Sequence, residues 1–350
     1  MLDTQILKTN IQQWSAELGF DQVGISGIDL KDDEEKLMKW LNKDHHGTMN
    51  YMERHGKKRA RPDELIPGTL RVISFRMTYY STNKRCGEEK LNNSKNAYIA
   101  NYAVGRDYHR SIRSKLKKII NLINDYSEIN EKNYFVDSAP VLERALARNA
   151  GLGWIGKNTN LINKNQGSWF FIAEILTDIE LPIDKPAKNH CGTCTECIDV
   201  CPTSAIVGPY ELDARKCISY LTIENKDSIP VELRSAIGNR IFGCDDCQIY
   251  CPWNKFATKP LIEEFQPKRL FDDLSLKSLF SWSKKEWDEN TRGSAIRRAG
   301  YHGWLRNIAV ALGNSPKDES VINLLKRKKG VANSMVDEHI DWALEQQEKD

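Results

Sequence analysis

Eight of the nine cysteines lie between positions 191 and 251, in the spacing of two iron–sulfur cubanes. The first run is Cys191-x2-Cys194-x2-Cys197-x3-Cys201-Pro202. The second is Cys217, then Cys244-x2-Cys247-x3-Cys251-Pro252. Thiolates are soft anionic ligands, and four of them match the four iron corners of a cubane. A Cys-x2-Cys-x2-Cys loop turns three sulfurs onto one cluster, and the cysteine before the proline reaches the other. Read this way, Cys191, Cys194, Cys197 and Cys251 hold one 4Fe-4S cluster; Cys201, Cys217, Cys244 and Cys247 hold the second. Zinc also uses Cys-x2-Cys pairs, but a four-cysteine run ending in Cys-Pro is a poor zinc spacing. Disulfides need an oxidising compartment, which nothing in the chain suggests.

Cys217 stands 27 positions ahead of Cys244. A bare ferredoxin has no need of that excursion, so this part of the chain is expected to wrap or dock on something. Two cubanes pass electrons singly. A two-electron reduction of an organic substrate needs a further centre, a flavin or a corrinoid, in the front of the chain. Composition does not choose between them. The cobalamin signature D-x-H-x-x-G is absent: Asp107-Tyr108-His109 begins it, but no glycine follows in place. His109 therefore reads as a surface or core histidine, not a cobalt ligand. Gly151-Leu152-Gly153-Trp154-Ile155-Gly156 matches G-x-G-x-x-G, yet it follows a predicted helix and leads to a predicted hairpin, the wrong setting for a dinucleotide.

The elements that must position these groups follow from periodicity. Helices are expected at 3–18, 32–42 and 110–126, where apolar residues recur at helical spacing. Strands are expected at 22–25, 71–80 and 134–137. Ser138 is placed to cap a following helix with Pro140 in its first turn. Residues 159–163 and 168–177 read as a hairpin over the turn at 164–167. Together these make residues 1–185 an α/β (α+β) domain whose strands need not run parallel. The Pro-containing stretch 178–190 reads as a linker, the cluster domain as 186–260, and 261–350 as short helices in antiparallel pairs.

The 350 residues are 40% hydrophobic and 28% charged, ordinary for a chain with real cores. No apolar run suits a membrane span and the N-terminus has no export pattern, so the cytoplasm is the expected compartment. Cys86, in a Lys/Glu-rich stretch, reads as a loop bystander. The net charge of +3 is too small to establish a nucleic-acid partner. Basic clusters at 57–61, 292–306 and 326–329 are either phosphate-binding faces or solvated helix faces.

Several motifs in order resemble the epoxyqueuosine reductase family: Gly105-Arg106-Asp107-Tyr108-His109, Val136-Asp137-Ser138-Ala139-Pro140, Gly151 to Asn158, Cys201-Pro202-Thr203, Arg215 to Thr222 and Tyr250-Cys251-Pro252. The resemblance spans nearly the whole chain. It implies a cobalamin domain, a ferredoxin-like two-cluster domain and a C-terminal helical repeat (HEAT-like) region, related to corrinoid reductive dehalogenases. It implies reduction of epoxyqueuosine to queuosine at the tRNA wobble position, the last step of that pathway, by a monomer served by a low-potential flavodoxin or ferredoxin. The C-terminal region looks shorter than in longer members.

On the same resemblance Asp137 is the proton donor, with a pKa raised by burial against the cofactor. Arg59, in Lys58-Arg59-Ala60-Arg61-Pro62, is expected at the corrin or its phosphate. Lys157 and Asn158, after the glycine turn, and Ser219, Asp245 and Asp246 are expected where cluster and corrin meet. Arg292, Arg297, Arg298 and Arg306 are expected at tRNA phosphates. Trp154 and Trp169 read as core. Two rivals stay open at this stage: a corrinoid enzyme acting on a small molecule, and a pure two-cluster electron carrier.

Overall fold

The computed structural model describes residues 3–79, 84–126, 133–257, 262–267 and 274–349. Its front part is built on four antiparallel strands. Gln22–Ser26 pairs with Arg71–Thr78, which pairs with Phe170–Thr177, which pairs at the far edge with Tyr134–Phe135. Side chains alternate between the faces of a strand, so each face finds its own helices. Ile73, Phe75, Ala173 and Ile175 pack with helices Thr4–Glu17 and Tyr108–Asn124, which bury Leu7, Ile11, Ile112, Leu116 and Ile119. On the other face, Val72 and Leu176 pack against Ala145 and Leu146 of helix Glu143–Asn149. Gly24 is required there: a Cβ would lie 2.1 Å from the Ala150 carbonyl oxygen at that helix's end.

Helices and strands expected at 3–18, 22–25, 32–42, 71–80 and 110–126 form at Thr4–Glu17, Gln22–Ser26, Lys31–Asn42, Arg71–Thr78 and Tyr108–Asn124; Tyr80 lies outside the described residues. Three expectations fail. Ser138 does not cap a helix: the helix begins at Glu143, and Ser138 Oγ instead accepts from Arg113. The hairpin at 159–177 does not form as one ladder. Leu161–Ile162 pairs with Trp154–Ile155, while Phe170–Thr177 is drawn into the main sheet, leaving only an Asn163–Gly167 bridge at the turn. Cys86 lies on helix Lys84–Asn92, not in a loop.

The excursion between Cys217 and Cys244 folds as helices Ile218–Ile223 and Val231–Ile237 and strand Arg240–Phe242. That strand runs parallel to Tyr98–Ile99 of the front part. Its other neighbour is the C-terminal helix Gly300–Gly313. From it, buried Arg306 donates to the carbonyls of Leu221, Asn225 and Asp227, and buried Asn307 to those of Thr222 and Ile241. Helices Glu319–Lys328 and Ser334–Glu348 complete this end. One apolar core thus joins Ile99 and Ala103, Leu221 and Phe242, and Trp304, Ile308 and Ile340. No helix among the described residues is long and apolar enough to cross a membrane.

Candidate active site

The cysteines gather as two groups. Cys191, Cys194, Cys197 and Cys251 line one cavity of about 260 Å³ together with Lys157, Asn158 and Trp253. Burial, then the neighbouring Cys251, Cys191 and Cys194, push the Cys197 thiol up to about 11. In the second group, burial comes first at Cys217, Cys244 and Cys247; Cys217 also feels Cys201, and Cys244 and Cys247 each feel Cys217. Cys247 also feels Cys197, so the two groups adjoin. Backbone N–H groups of Ser219 and Tyr220, at the start of helix Ile218–Ile223, point at the Cys217 sulfur; the Ala205 N–H points at Cys201 Sγ from 3.2 Å. Such donors stabilise anionic sulfur.

Asp137 stands apart from the sulfurs, at the end of the Tyr134–Phe135 edge strand. Its backbone is left-handed, with φ +56°, and its side chain is 61% exposed. Three consecutive residues at the start of helix Tyr108–Asn124 serve it. Asp107 caps the helix, accepting the His109 N–H. Tyr108 Oη donates to Asp137 Oδ2 at 2.7 Å, and His109 Nε2 lies 3.3 Å from the same oxygen. His109 Nδ1 is 2.8 Å from Asp107 Oδ1, which fixes the ring. Burial works against charge on His109, but the Asp107 and Asp137 carboxylates prevail and raise it to about 9. Burial pulls Asp137 upward, yet the His109 and Tyr108 hydrogen bonds outweigh it and the carboxyl ends below its ordinary range.

In the absence of a cofactor the pair reads as imidazolium and carboxylate, and His109 is a partner of the acid. Sequence reading missed His109 because it was weighed only as a metal ligand. Its spacing from Asp107, two residues across a helix start, was the signal available.

Several of the other expected site residues are engaged by the chain's own backbone. Arg59 is buried, its guanidinium spent on the carbonyls of Tyr51, Met52 and Ala139. It ties the Tyr51–Arg54 turn to the Asp137 loop. Lys157 donates to the carbonyls of Gly192 and Cys194, and Asn158 to that of Cys247, so both pin cysteine loops. The glycines of the turn before them let it pack tightly on strand Leu161–Ile162: a Cβ on Gly153 or Gly156 would lie 2.4 Å from Ile162. Asp246 is clasped by Arg240 and receives Cys244 Sγ–H at 3.0 Å. Asp245 accepts from Tyr98 Oη and the Asn101 N–H, while burial lifts it to about 6. Ser219 is half-buried beside Cys217. Trp154 and Trp169 are core, as expected.

Between the acid's helix and the excursion strand lies Tyr102, its ring 6.2 Å from Tyr108 and 6.1 Å from Phe242. Half-buried Tyr102 is raised first by burial, then by Asp137, then by Asp245. Exposed Tyr51 and Arg298, 5.9 Å apart, also lie in the field of Asp137. Among the described residues no three His, Cys, Asp or Glu side chains converge on one bare-ion site. The open Asp137 carboxylate is thus bordered by Tyr108 and His109, with Tyr51 and Arg298 in its field.

Residues 59–138 match the family described as epoxyqueuosine reductase QueG, DUF1730, and residues 190–254 match a 4Fe-4S double cluster binding domain. The epoxyqueuosine reductase of Pseudomonas aeruginosa is 52% identical over 98% of this chain and 95% of its own length. The chain belongs to the epoxyqueuosine reductase family. The Escherichia coli K12 epoxyqueuosine reductase is 51% identical over 99% of this chain and 91% of its own. A crystal structure of an epoxyqueuosine reductase with an epoxyqueuosine-modified tRNA-Tyr stem loop superposes with a TM-score of 0.90 at 28% identity, covering 99% of this chain and 92% of that one. Members of the epoxyqueuosine reductase family thus share this whole architecture, from the antiparallel sheet to the C-terminal helices.

Proposed function

We propose that this chain reduces epoxyqueuosine to queuosine in the wobble position of tRNA, with Asp137 and His109 handling the protons. The observation that carries the reading is the contact of the two, His109 Nε2 lying 3.3 Å from Asp137 Oδ2, on a carboxylate open to solvent. Opening an epoxide to an alkene consumes two electrons and two protons and releases water. Without a proton the oxygen departs as a costly alkoxide. Asp137, reprotonated from His109, presents the acid; Asp107 and Tyr108 hold the pair in line.

Cys191, Cys194, Cys197 and Cys251 would hold one 4Fe-4S cluster, and Cys201, Cys217, Cys244 and Cys247 the other. Asp137, Tyr51, Tyr102 and Ser219 would border a cobalamin. When bound, these groups supply electrons one at a time and deliver them to the substrate carbon. We assign residues 1–185 to cobalamin and catalysis, 186–260 to the clusters, and 261–350 to a HEAT-like helical region facing tRNA. A modified base must leave its stack to reach Asp137, so it is splayed into the site. The setting is a cytoplasmic monomer fed by a low-potential flavodoxin or ferredoxin.

The test is anaerobic turnover of an epoxyqueuosine-modified stem loop by cluster-reconstituted protein with a chemical reductant. Queuosine should form when cobalamin is added and not when it is omitted. Conversion of the epoxide at the same rate without cobalamin would refute the corrin part; no conversion in either arm would refute the activity.

A further inference from the structure

Behind Asp137 lies a pair of carboxyl groups that the proton chemistry above does not use. Glu174 sits in the middle of strand Phe170–Thr177, paired across to Ser74 on one side and Phe135 on the other, and is 0% exposed. Neither carboxyl oxygen of Glu174 receives an N–H or a hydroxyl. Its hydrogen-bonding neighbour is the carboxyl of Glu143, at the start of helix Glu143–Asn149. Two carboxylates cannot share such a contact without a proton, and a lone buried carboxylate is costly, so Glu174 stays protonated and donates to Glu143. Burial accordingly keeps Glu174 well above the carboxylate range and, with the Asp137 charge, lifts Glu143 to about 8. The other charged group facing Glu143 is Arg144, whose guanidinium also donates to the Thr159 carbonyl at 2.6 Å.

Glu143 also holds the acid's own backbone: the Asp137 N–H donates to Glu143 Oε1 at 2.6 Å. Asp137 needs such a hold. Left-handed backbone at a non-glycine residue is uncommon and persists only where the surroundings over-determine it. The next residues, Ser138 to Leu142, are in no helix or strand, and the helix after them has no side-chain cap.

We propose that Glu143 is the positioning residue that locks the Asp137 backbone and so aims the acid at its substrate. The inference rests on Asp137 as the proton donor. Glu143 touches neither substrate nor cofactor in this role; it acts through the Asp137 amide. A misplacement of about 1 Å at an acid costs up to roughly 100-fold in rate, while substrate docking through remote contacts is untouched.

The experiment is steady-state turnover of the epoxyqueuosine-modified stem loop by cluster- and cobalamin-loaded enzyme, comparing wild type with Glu143→Ala, Glu143→Asp, Glu143→Gln and Glu174→Gln. Glu143→Asp keeps charge but shortens the reach, and covers the case in which the alanine variant does not fold. Glu143→Ala and Glu143→Asp should lower kcat about 10-fold or more, with KM and the cobalamin spectrum within about 2-fold of wild type. Glu143→Gln retains an acceptor for the Asp137 N–H, and Glu174→Gln retains a donor toward Glu143, so both should keep kcat within about 3-fold. Wild-type kcat in Glu143→Asp, or an equal loss in Glu143→Gln, overturns the positioning role while Asp137 chemistry stands. If wild type leaves the epoxide intact, both readings fall together.

Discussion

At the scale of single residues, the decisive feature is where the proton rests. His109 is held near 9 and Asp137 below its usual range, so at neutral pH the pair is imidazolium and carboxylate sharing one proton. The pair titrates as a unit, and its proton is lost as pH rises through about 9. Turnover should therefore hold through neutral pH and fall on the alkaline side. In His109→Gln, kcat should drop by roughly 10-fold or more, and the alkaline limb set by the imidazole should vanish from the pH–kcat profile. An unchanged profile in that variant would remove His109 from proton handling. The same pair has a stability consequence. A histidine whose pKa is raised by folding contributes fully below its unfolded value near 6.5 and loses that contribution as pH climbs through about 9.

At the scale of elements, the joint between the cluster excursion and the C-terminal helices is built from buried polar groups. Arg306 was expected at phosphates from its place in a basic run. It is instead 0% exposed, and burial lowers it to about 10 while it satisfies three carbonyls of the excursion. Arg306→Ala should destabilise the protein by about 3 kcal/mol or more, because buried acceptors lose a charged donor. It should leave the salt dependence of stem-loop binding unchanged. Denaturant melts and binding isotherms at several salt concentrations separate the two roles. His339 belongs to the same joint: its Nε2 accepts the Ile229 N–H, and burial lowers it to about 4. Its contribution is present above about 6.5 and lost as pH falls toward about 4, so His339→Gln should flatten that part of the acid melting curve.

These two residues show what sequence made legible. The cysteine quartets, the early helices and the sheet strands carry local patterns, in spacing or periodicity, and were readable. Arg306 and His339 were not, since a basic residue on a helix looks the same whether its face meets water or buried backbone groups. The failed hairpin at 159–177 has the same cause. A strand's partner is chosen by tertiary packing, and Phe170–Thr177 gains more from the main sheet than from its neighbour in sequence. Arg59 and Lys157 were found as important positions, but the motif could not say that their donors serve the chain's own carbonyls.

At the scale of the molecule, one apolar core ties Ile99, of the strand pair Tyr98–Ile99 and Arg240–Phe242, to the cluster excursion and the C-terminal helices. The three basic clusters divide unequally as tRNA contacts. At 57–61, Arg59 is buried and Arg61 is paired with Glu34 and Glu64. Arg297 and Arg298 pair with Asp288 and Glu224. Lys326 and Arg327 are exposed on helix Glu319–Lys328. Stem-loop affinity should fall steeply between about 50 and 200 mM salt, and Arg327→Gln should reduce the slope by about 1. A slope equal to wild type would exclude Arg327 as a phosphate contact.

The account turns on Asp137 as the acid beside a cofactor supplied with electrons by two cysteine quartets. Asparagine tolerates the left-handed backbone that Asp137 adopts, so Asp137→Asn tests the chemistry with little change to the fold. The direct measurement is single-turnover conversion of the epoxyqueuosine stem loop by this variant, loaded with about eight irons per chain and with cobalamin. The predicted result is a loss of roughly 10²–10⁴-fold in rate with iron content, corrin spectrum and stem-loop binding unchanged. Conversion at the wild-type rate by the fully loaded variant would contradict it.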